Sequence, residues 1–450
     1  MTDVRPQPLS DPTARRREQR GWYWYDWANS TFSTTVVTVI LGPYLTSVAK
    51  SGAVDGSVQF LWFDLDPKAY FPACVTVSVL LQIFVLPVVG AMADRSAHKR
   101  ELLAGFAYAG ATATMLLIFV TGGDYRLGGA LFIFANLMFG CAIVVYNSFL
   151  PDIAEPDERD RVSSRGWAMG YAGGALLLVF NLVLVLFAED FGLTDRQAAR
   201  WCLFSAGLWW AVFTVIPMLR LVNRKPYHVV AAEGWVVTAG FRQLGRTLRE
   251  LVTYKVTVLF LVAYLLYNDG IQAAIAFAAT FGSEELGFGD EVLIGAILLV
   301  QVVAFFGALA LGRIAARRGA KATVLGALVV WSVVVAYAFV IPAGNAPLFF
   351  LLAAAIGFVL GGSQALSRSL FSHLIPGGRE AEYYAVYEVS DRGTSFIGSL
   401  MITIVLQTTG SYRLAILALV VFFVAGGLLL SRVDFRRGAL AVGNQAPEII

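Results

Sequence analysis

Apolar runs long enough to cross a membrane alternate with short polar stretches along almost the whole chain. They fall at about 22–48, 69–93, 101–121, 127–150, 166–188 and 200–219, and after a break at about 256–281, 291–312, 321–341, 348–371, 383–408 and 412–431. Each is near the ~20 residues that a helix needs to span a ~30 Å hydrocarbon core. The pattern predicts twelve transmembrane helices in two sets of six, numbered here as runs 1 to 12. The break at 220–255 carries Arg220, Arg224, Lys225, Arg242, Arg246, Arg249 and Lys255 against Glu233 and Glu250. Within it Trp235, Phe241, Leu244, Leu248 and Leu251 recur opposite the arginines, which predicts an amphipathic helix in the headgroup plane. A plain basic tether between two halves is the simpler alternative.

Composition agrees with the run pattern. Of 450 residues 58% are hydrophobic and 14% charged, too apolar for a soluble chain of this length and suited to an all-α, multi-pass membrane protein. The net charge is only +3 and the bases sit in short clusters between runs, so nucleic acid is not an expected partner. Cys74, Cys141 and Cys202 lie inside runs without metal or disulfide spacing, and neither metal nor cofactor is expected. Arg15, Arg16, Arg17 and Arg20 precede run 1 like the basic end of a signal peptide. The run continues without a small-residue cleavage site, so it is read as a retained helix.

Charge sets the expected orientation. Lys50, Lys68, Arg126, Arg196, Arg200 and Arg413 fall on one face and Arg392 lies inside run 11. All the other Lys and Arg of the 34 in the chain fall on the face shared by the two ends. Both termini are therefore expected in the cytoplasm of a cell-membrane protein. The predicted organisation is a cytoplasmic tail at 1–21, expected to be disordered, a six-helix bundle at 22–219, and the central loop at 220–255. A second six-helix bundle at 256–431 and a cytoplasmic tail at 432–450 complete it.

The halves resemble each other weakly, as an internal duplication requires. Pro151 and Gly173, around the loop between runs 4 and 5, have the same separation as Pro376 and Gly398, around the loop between runs 10 and 11. In run 1, Tyr25 to Asn29 can be laid on Asn268 to Gln272 of run 7, so that an Asp precedes an amide by three residues in both.

Several strings carry more specific information. The loop after run 2 reads GAMADRSAHKR from Gly90 to Arg100. It is similar to the signature between helices 2 and 3 of the major facilitator superfamily: a Gly for close helix approach, an Asp four residues on, then bases. Asp94 is placed to accept hydrogen bonds from Arg95, Arg100 or a neighbouring helix's donors and so latch the two bundles together; an ordinary positive-inside loop is the alternative. The counterpart after run 8 keeps its bases but has Gly312 where the acid would fall, so the latch is expected to be asymmetric. Run 1 opens WYWYDWANSTF (Trp22 to Phe32), run 10 reads GGSQALSRSLFSHLIP (Gly361 to Pro376), and run 11 contains REAEYYAVYEVSDRGTSFIG (Arg379 to Gly398). With YNDGIQ in run 7 and LPDIAEP at Leu150 to Pro156, the chain resembles the family named for the autophagy-related vacuolar amino-acid effluxer, a branch of the major facilitator superfamily with bacterial members. The resemblance covers nearly the whole chain. It implies two pseudo-symmetric six-helix bundles and secondary transport by alternating access, with export of neutral amino acids known for the fungal vacuolar branch; substrate identity does not follow from a shared fold.

Ionisable groups inside spans cost ~2.5 to 3.5 kcal/mol at a helix centre on insertion scales, so each asks for a reason. Asp269, midway along run 7 with Asn268 and Gln272 beside it, is expected to line the central cavity and to exchange a proton or pair with a solute ammonium. Asp26 has Asn29 one turn on, and is read as a pathway residue or as a carboxylate offsetting the helix dipole. Gln364 and Arg368 share a face of run 10. Arg368 is a candidate for a solute carboxylate if it reaches the cavity, or for a lipid phosphate if it does not. Glu388 and Arg392, four apart in run 11, are placed to pair, as a structural unit or as one remade between states. Gly166, Gly170 and Gly174 in run 5 permit close helix packing. His98, His228 and His373 are read as loop residues, so a coupled proton would need a carboxylate.

The reading is a secondary active transporter that exports or exchanges small polar solutes such as neutral amino acids. A multidrug or small-peptide exporter of the same fold is the alternative. A membrane-embedded enzyme is disfavoured because neither HExxH nor GxxxxGK[ST] occurs. The expected partners are a small-molecule solute, a coupling proton or cation if transport is coupled, and membrane lipids, with the chain acting as a monomer.

Overall fold

A computed structural model describes residues 8–226, 245, 247, 249–393 and 395–449. Among these, twelve helices are long and apolar enough to span a membrane. They are α1 (Pro12–Ser51), α2 (Pro67–Arg95), α3 (Lys99–Phe119), α4 (Tyr125–Ile153), α5 (Pro156–Leu186) and α6 (Asp195–Arg220). The second set is α7 (Lys255–Glu285), α8 (Glu291–Arg318), α9 (Ala320–Val340), α10 (Ala346–His373), α11 (Glu380–Thr409) and α12 (Tyr412–Ser431). A short hairpin of β1 (Val58–Phe60) and β2 (Phe63–Leu65) joins α1 to α2, and a short α13 (Phe435–Ala441) follows α12.

Local chemistry places the helix starts. Asp11 caps α1 through the Thr13 and Ala14 N–H groups with Pro12 at the first position. Asp66 and Pro67 do the same for α2, Thr194 and Gln197 form a capping box on α6, and Asn345 caps α10. Residues 12–20, expected in a disordered tail, are instead the first turns of α1. Hydropathy could not find them because their inward side is polar: Glu18 takes Arg224 through two hydrogen bonds of 2.7 and 2.8 Å, Gln19 donates to the Ile153 carbonyl, and Arg15 pairs with Glu155. Further along, α1 widens into a π-helical segment at Phe32–Ile40, an irregularity common beside functional sites. Of the amphipathic helix expected in the central loop, Trp235, Phe241, Leu244 and Leu248 lie outside the described residues; Leu251 is buried.

The buried apolar side chains form two clusters, one drawn from α1–α6 and the other from α7–α13, with Ala381 and Ala385 of α11 joining the first. These are the two six-helix bundles. They meet where α5 lies against α8 and α2 against α11. Large apolar groups such as Phe84, Phe134, Phe180, Val333 and Leu428 are exposed on the outside, as a lipid-facing surface requires.

Glycines fix the close crossings. A Cβ on Gly166 would sit 2.5 Å from Asp26 Oδ2, on Gly170 2.5 Å from Ser30 Oγ, and on Gly174 2.8 Å from Thr34 Oγ1, so the α5 stripe packs against α1 as read. Gly173 likewise packs on the Trp27 carbonyl of α1, and Gly398 of α11 packs on Ala273 and the Asp269 carbonyl of α7.

Candidate functional site

Between the bundles lies a cavity of about 1430 Å³. Its polar lining comes from Ser33, Thr34 and Thr38 of α1, Thr76 of α2, Gln272 and Thr280 of α7, Gln301 of α8, Gln364 of α10, and Arg392 and Ser399 of α11. The π-helical turn of α1 brings its Ser and Thr side chains onto this wall. Trp167, Tyr171, Phe277, Trp331 and Phe349 supply an apolar remainder. The lining runs from mid-membrane residues towards Phe71, Pro72, Phe281 and Phe349, near those helix ends that lie away from both chain termini. The cavity therefore extends to the face opposite the termini.

On the terminal side the bundles are joined. Arg368 of α10, only 3% exposed, reaches across into the first bundle. Its Nε donates to Ser163 Oγ at 2.9 Å, Nη2 to the Ser163 carbonyl at 3.0 Å and to Asp26 Oδ2 at 3.4 Å, and Nη1 to Asn147 Oδ1 at 3.2 Å. Trp22 lies 4.7 Å from the guanidinium, with Trp167 and Tyr146 at 5.5 and 5.6 Å. Such an aromatic surround attracts a cation. Asp26 also accepts from Tyr146 OH at 2.6 Å. A buried ion pair is tolerable only when its remaining donors and acceptors are satisfied, and here they largely are.

Three further contacts cross the same seam. Asn147 Nδ2 donates to Glu388 Oε1 at 2.8 Å, Arg159 Nη1 to the Ser372 carbonyl at 3.0 Å, and Ser163 Oγ to the Ala365 carbonyl at 2.6 Å. Between α2 and α11, Asp94 accepts the Ala381 and Glu382 N–H groups at 2.9 Å each, a carboxylate on the open N-terminal turn of a helix. Gly90 makes this approach possible, since a Cβ there would lie 2.6 Å from the Ala381 carbonyl oxygen. In the pseudo-symmetric crossing of α8 with α5, Gly312 similarly faces Ser164.

The predicted residues are thus redistributed. Gln272 and Gln364 line the cavity, and Asn268 is held one bond behind it, accepting from Gln364 Nε2 at 2.9 Å and donating to Asp391 at 2.7 Å. Asp269 does not line the cavity: it is fully buried and faces Gly398 of α11. The helical turn that aims Gln272 into the cavity aims Asp269 at the neighbouring helix. Asn29 is also buried outside the lining. Arg368 is not part of the cavity lining, because its length carries it through the seam to Asp26. Arg100 pairs with Glu101, and the Asp94 carboxylate takes its two hydrogen bonds from backbone N–H groups of α11. Glu388 and Arg392 do pair, at 3.4 Å, but Arg392 faces the cavity instead of sitting only in the seam. His373 closes α10 and is buried.

Sequence reasoning missed Tyr146, Asn147, Arg159 and Ser163. Asn147 had a signal: an amide in an otherwise apolar run needs a partner as surely as a charge does. Ser163 and Arg159 sit at the polar start of α5 and carried none.

A family model described as "Vacuole effluxer Atg22 like" matches residues 14–443. The chain is 29% identical over 417 residues to an MFS-type transporter of Bacillus subtilis, YxiO, covering 92% of this chain and 94% of the relative. It is 26% identical over 565 residues to autophagy-related protein 22-1 of Penicillium rubens, covering 98% and 94%. Among solved structures it resembles the Escherichia coli fucose:proton symporter FucP, with TM-score 0.70, 12% identity, and 95% and 100% of the two chains covered. The proton:xylose symporter XylE gives TM-score 0.71 at 12% identity, covering 95% and 97%. These likenesses show a major facilitator fold.

Proposed function

The chain belongs to the Atg22-like effluxer family of major facilitator transporters, and from that premise we propose that it exports or exchanges small polar solutes such as neutral amino acids by alternating access. The observation that carries this reading is the asymmetry of the seam. A solute-sized cavity reaches one face, and the Arg368, Asp94 and Asn147 contacts bar the other. Those contacts join different bundles and would part if the bundles rocked, which is how a midplane site is presented to each side in turn. Asp94, Gly90, Glu388 and the Asp26–Arg368 pair are the latch in this reading, and Gln272, Gln364 and Arg392 belong to the solute pathway.

The bacterial relative in the family supports a cell-membrane location, and the charge bias supports cytoplasmic termini. Reporter fusions at Ile450 and in the loop at 51–68 are expected to report opposite sides; agreement between them would overturn the topology. With this orientation the structure is the outward-open state. The cavity exceeds the ~300–1,000 Å³ of usual small-molecule sites, which favours a larger amphipathic solute, drug or short peptide, as the second reading.

Counterflow in proteoliposomes decides between them. Vesicles loaded with one neutral amino acid are expected to accumulate its labelled form only when they contain the protein. Accumulation of labelled dipeptide or drug, and not of amino acid, would establish the second reading. No movement of any of the three would contradict both.

A further inference from the structure

Arg392 is the charged side chain of the described cavity lining, and its guanidinium is largely uncommitted. Its Nε reaches Glu388 Oε2 at 3.4 Å, close to the limit of a hydrogen bond. Among the described residues its other N–H groups have no hydrogen-bond partner, and the Phe139 ring lies 5.0 Å away. Asp391, next to it in sequence, is engaged by Tyr264 OH and Asn268 Nδ2, both at 2.7 Å. A guanidinium with a free fork facing a cavity matches a carboxylate in shape and charge.

Glu388 ties this fork to the seam. Its Oε2 faces Arg392, while its Oε1 accepts from Asn147 of the first bundle at 2.8 Å. Asn147 in turn accepts from Arg368 at 3.2 Å, and Arg368 pairs with Asp26. One chain of polar contacts therefore runs from the cavity to the centre of the closed side.

We propose that Arg392 binds the carboxylate of the transported solute, and that Glu388 is the internal carboxylate which that solute displaces. The inference rests on the transporter reading above and narrows it to solutes that carry a carboxylate. Gln364 and Gln272 are placed for the solute's remaining polar atoms, and the aromatic walls for an apolar side chain. Once the solute takes the fork, Glu388 is left with Asn147 alone. The contact chain to Arg368 then loses one of its anchors only in the loaded protein, and such a difference between loaded and empty forms is what a ligand needs to shift a two-state equilibrium.

The test is thermal unfolding of the purified full chain with alanine, leucine or glutamine, with the corresponding amino-acid amides, and with inorganic phosphate. A ligand that binds the folded state raises the melting temperature. At least one amino acid is expected to do so, and its amide and phosphate are not. Arg392→Gln should weaken that binding roughly ten- to a hundredfold, as loss of a charge-assisted hydrogen bond implies. Arg392→Lys should retain part of it, and Glu388→Gln should tighten it by removing the competitor. If Arg392→Gln does not fold, the Arg392→Lys and Glu388→Gln results decide by their opposite directions. Stabilisation by amides or by phosphate equal to that by amino acids, an undiminished shift in Arg392→Gln, or no shift with any compound would overturn the proposal. Counterflow on the wild type separates this from the broader reading: movement of a carboxylate-free solute keeps the transporter and removes the role of Arg392, whereas no movement of any solute removes both.

Discussion

Replacing Arg368 with methionine is expected to abolish counterflow while leaving the protein inserted. The substitution keeps an unbranched chain but withdraws the cation from Asp26, Asn147 and both Ser163 oxygens at once. Removing one member of a buried pair costs on the order of 3 to 5 kcal/mol, because the other charge stays buried and alone. Conformations of a transporter differ by only a few kcal/mol, so this loss is enough to empty the closed-seam state. Each bundle keeps its own core, which is why insertion should survive. Combining Arg368→Met with Asp26→Asn removes the stranded charge and should restore part of the closed population. Counterflow at the wild-type rate in the single variant would show that the pair is not part of the cycle; failure of both variants to insert would show that it is needed for folding.

The second large effect is expected at Gly90. Any side chain there meets backbone, with the Ala381 carbonyl oxygen 2.6 Å and the Glu382 Cα 2.9 Å from the new Cβ. Backbone cannot swing aside as a flexible side chain can, so Gly90→Val should hold α2 away from α11 and keep the terminal side open. Asp94→Asn should act in the same direction but more weakly, since its amide oxygen still accepts one of the two N–H groups while its NH2 faces the other. A cysteine in place of Ser372, buried on the closed side, reads the outcome, because the native cysteines are all buried. Water-soluble thiol reagents should label it slowly in the wild-type background and many-fold faster with Gly90→Val. Equal labelling in both would mean that the α2–α11 crossing does not control access.

How far the sequence carried differed between fold and site. The twelve runs were legible because a hydrocarbon solvent imposes one length and one polarity on every span. The helical start at Pro12–Arg20 was not, since what holds it is a set of polar contacts from Glu18 and Gln19 to residues far along the chain. Asp26 and Arg368 each stood out as costly charges, yet they lie 342 positions apart and nothing local links them. The reverse holds for Glu388 and Arg392, whose spacing of four announced their pairing. What that spacing could not tell is that α11 stands at the bundle boundary and turns the far end of Arg392 towards the cavity. Asp269 failed for a related reason: mid-membrane depth marks a residue as expensive, but only the rotation of α7 decides which neighbour it meets.

The central claim is that the two faces open reciprocally, and paired spin labels measure this directly. One pair, at Val54 and Ala343, would span the face that the cavity reaches; the other, at His98 and Arg318, would span the closed face. All four positions are exposed. On adding the solute identified by counterflow, the account predicts that the distance between Val54 and Ala343 shortens as the distance between His98 and Arg318 lengthens. Distances that both lengthen together, or that stay unchanged while the same sample moves solute, would contradict it.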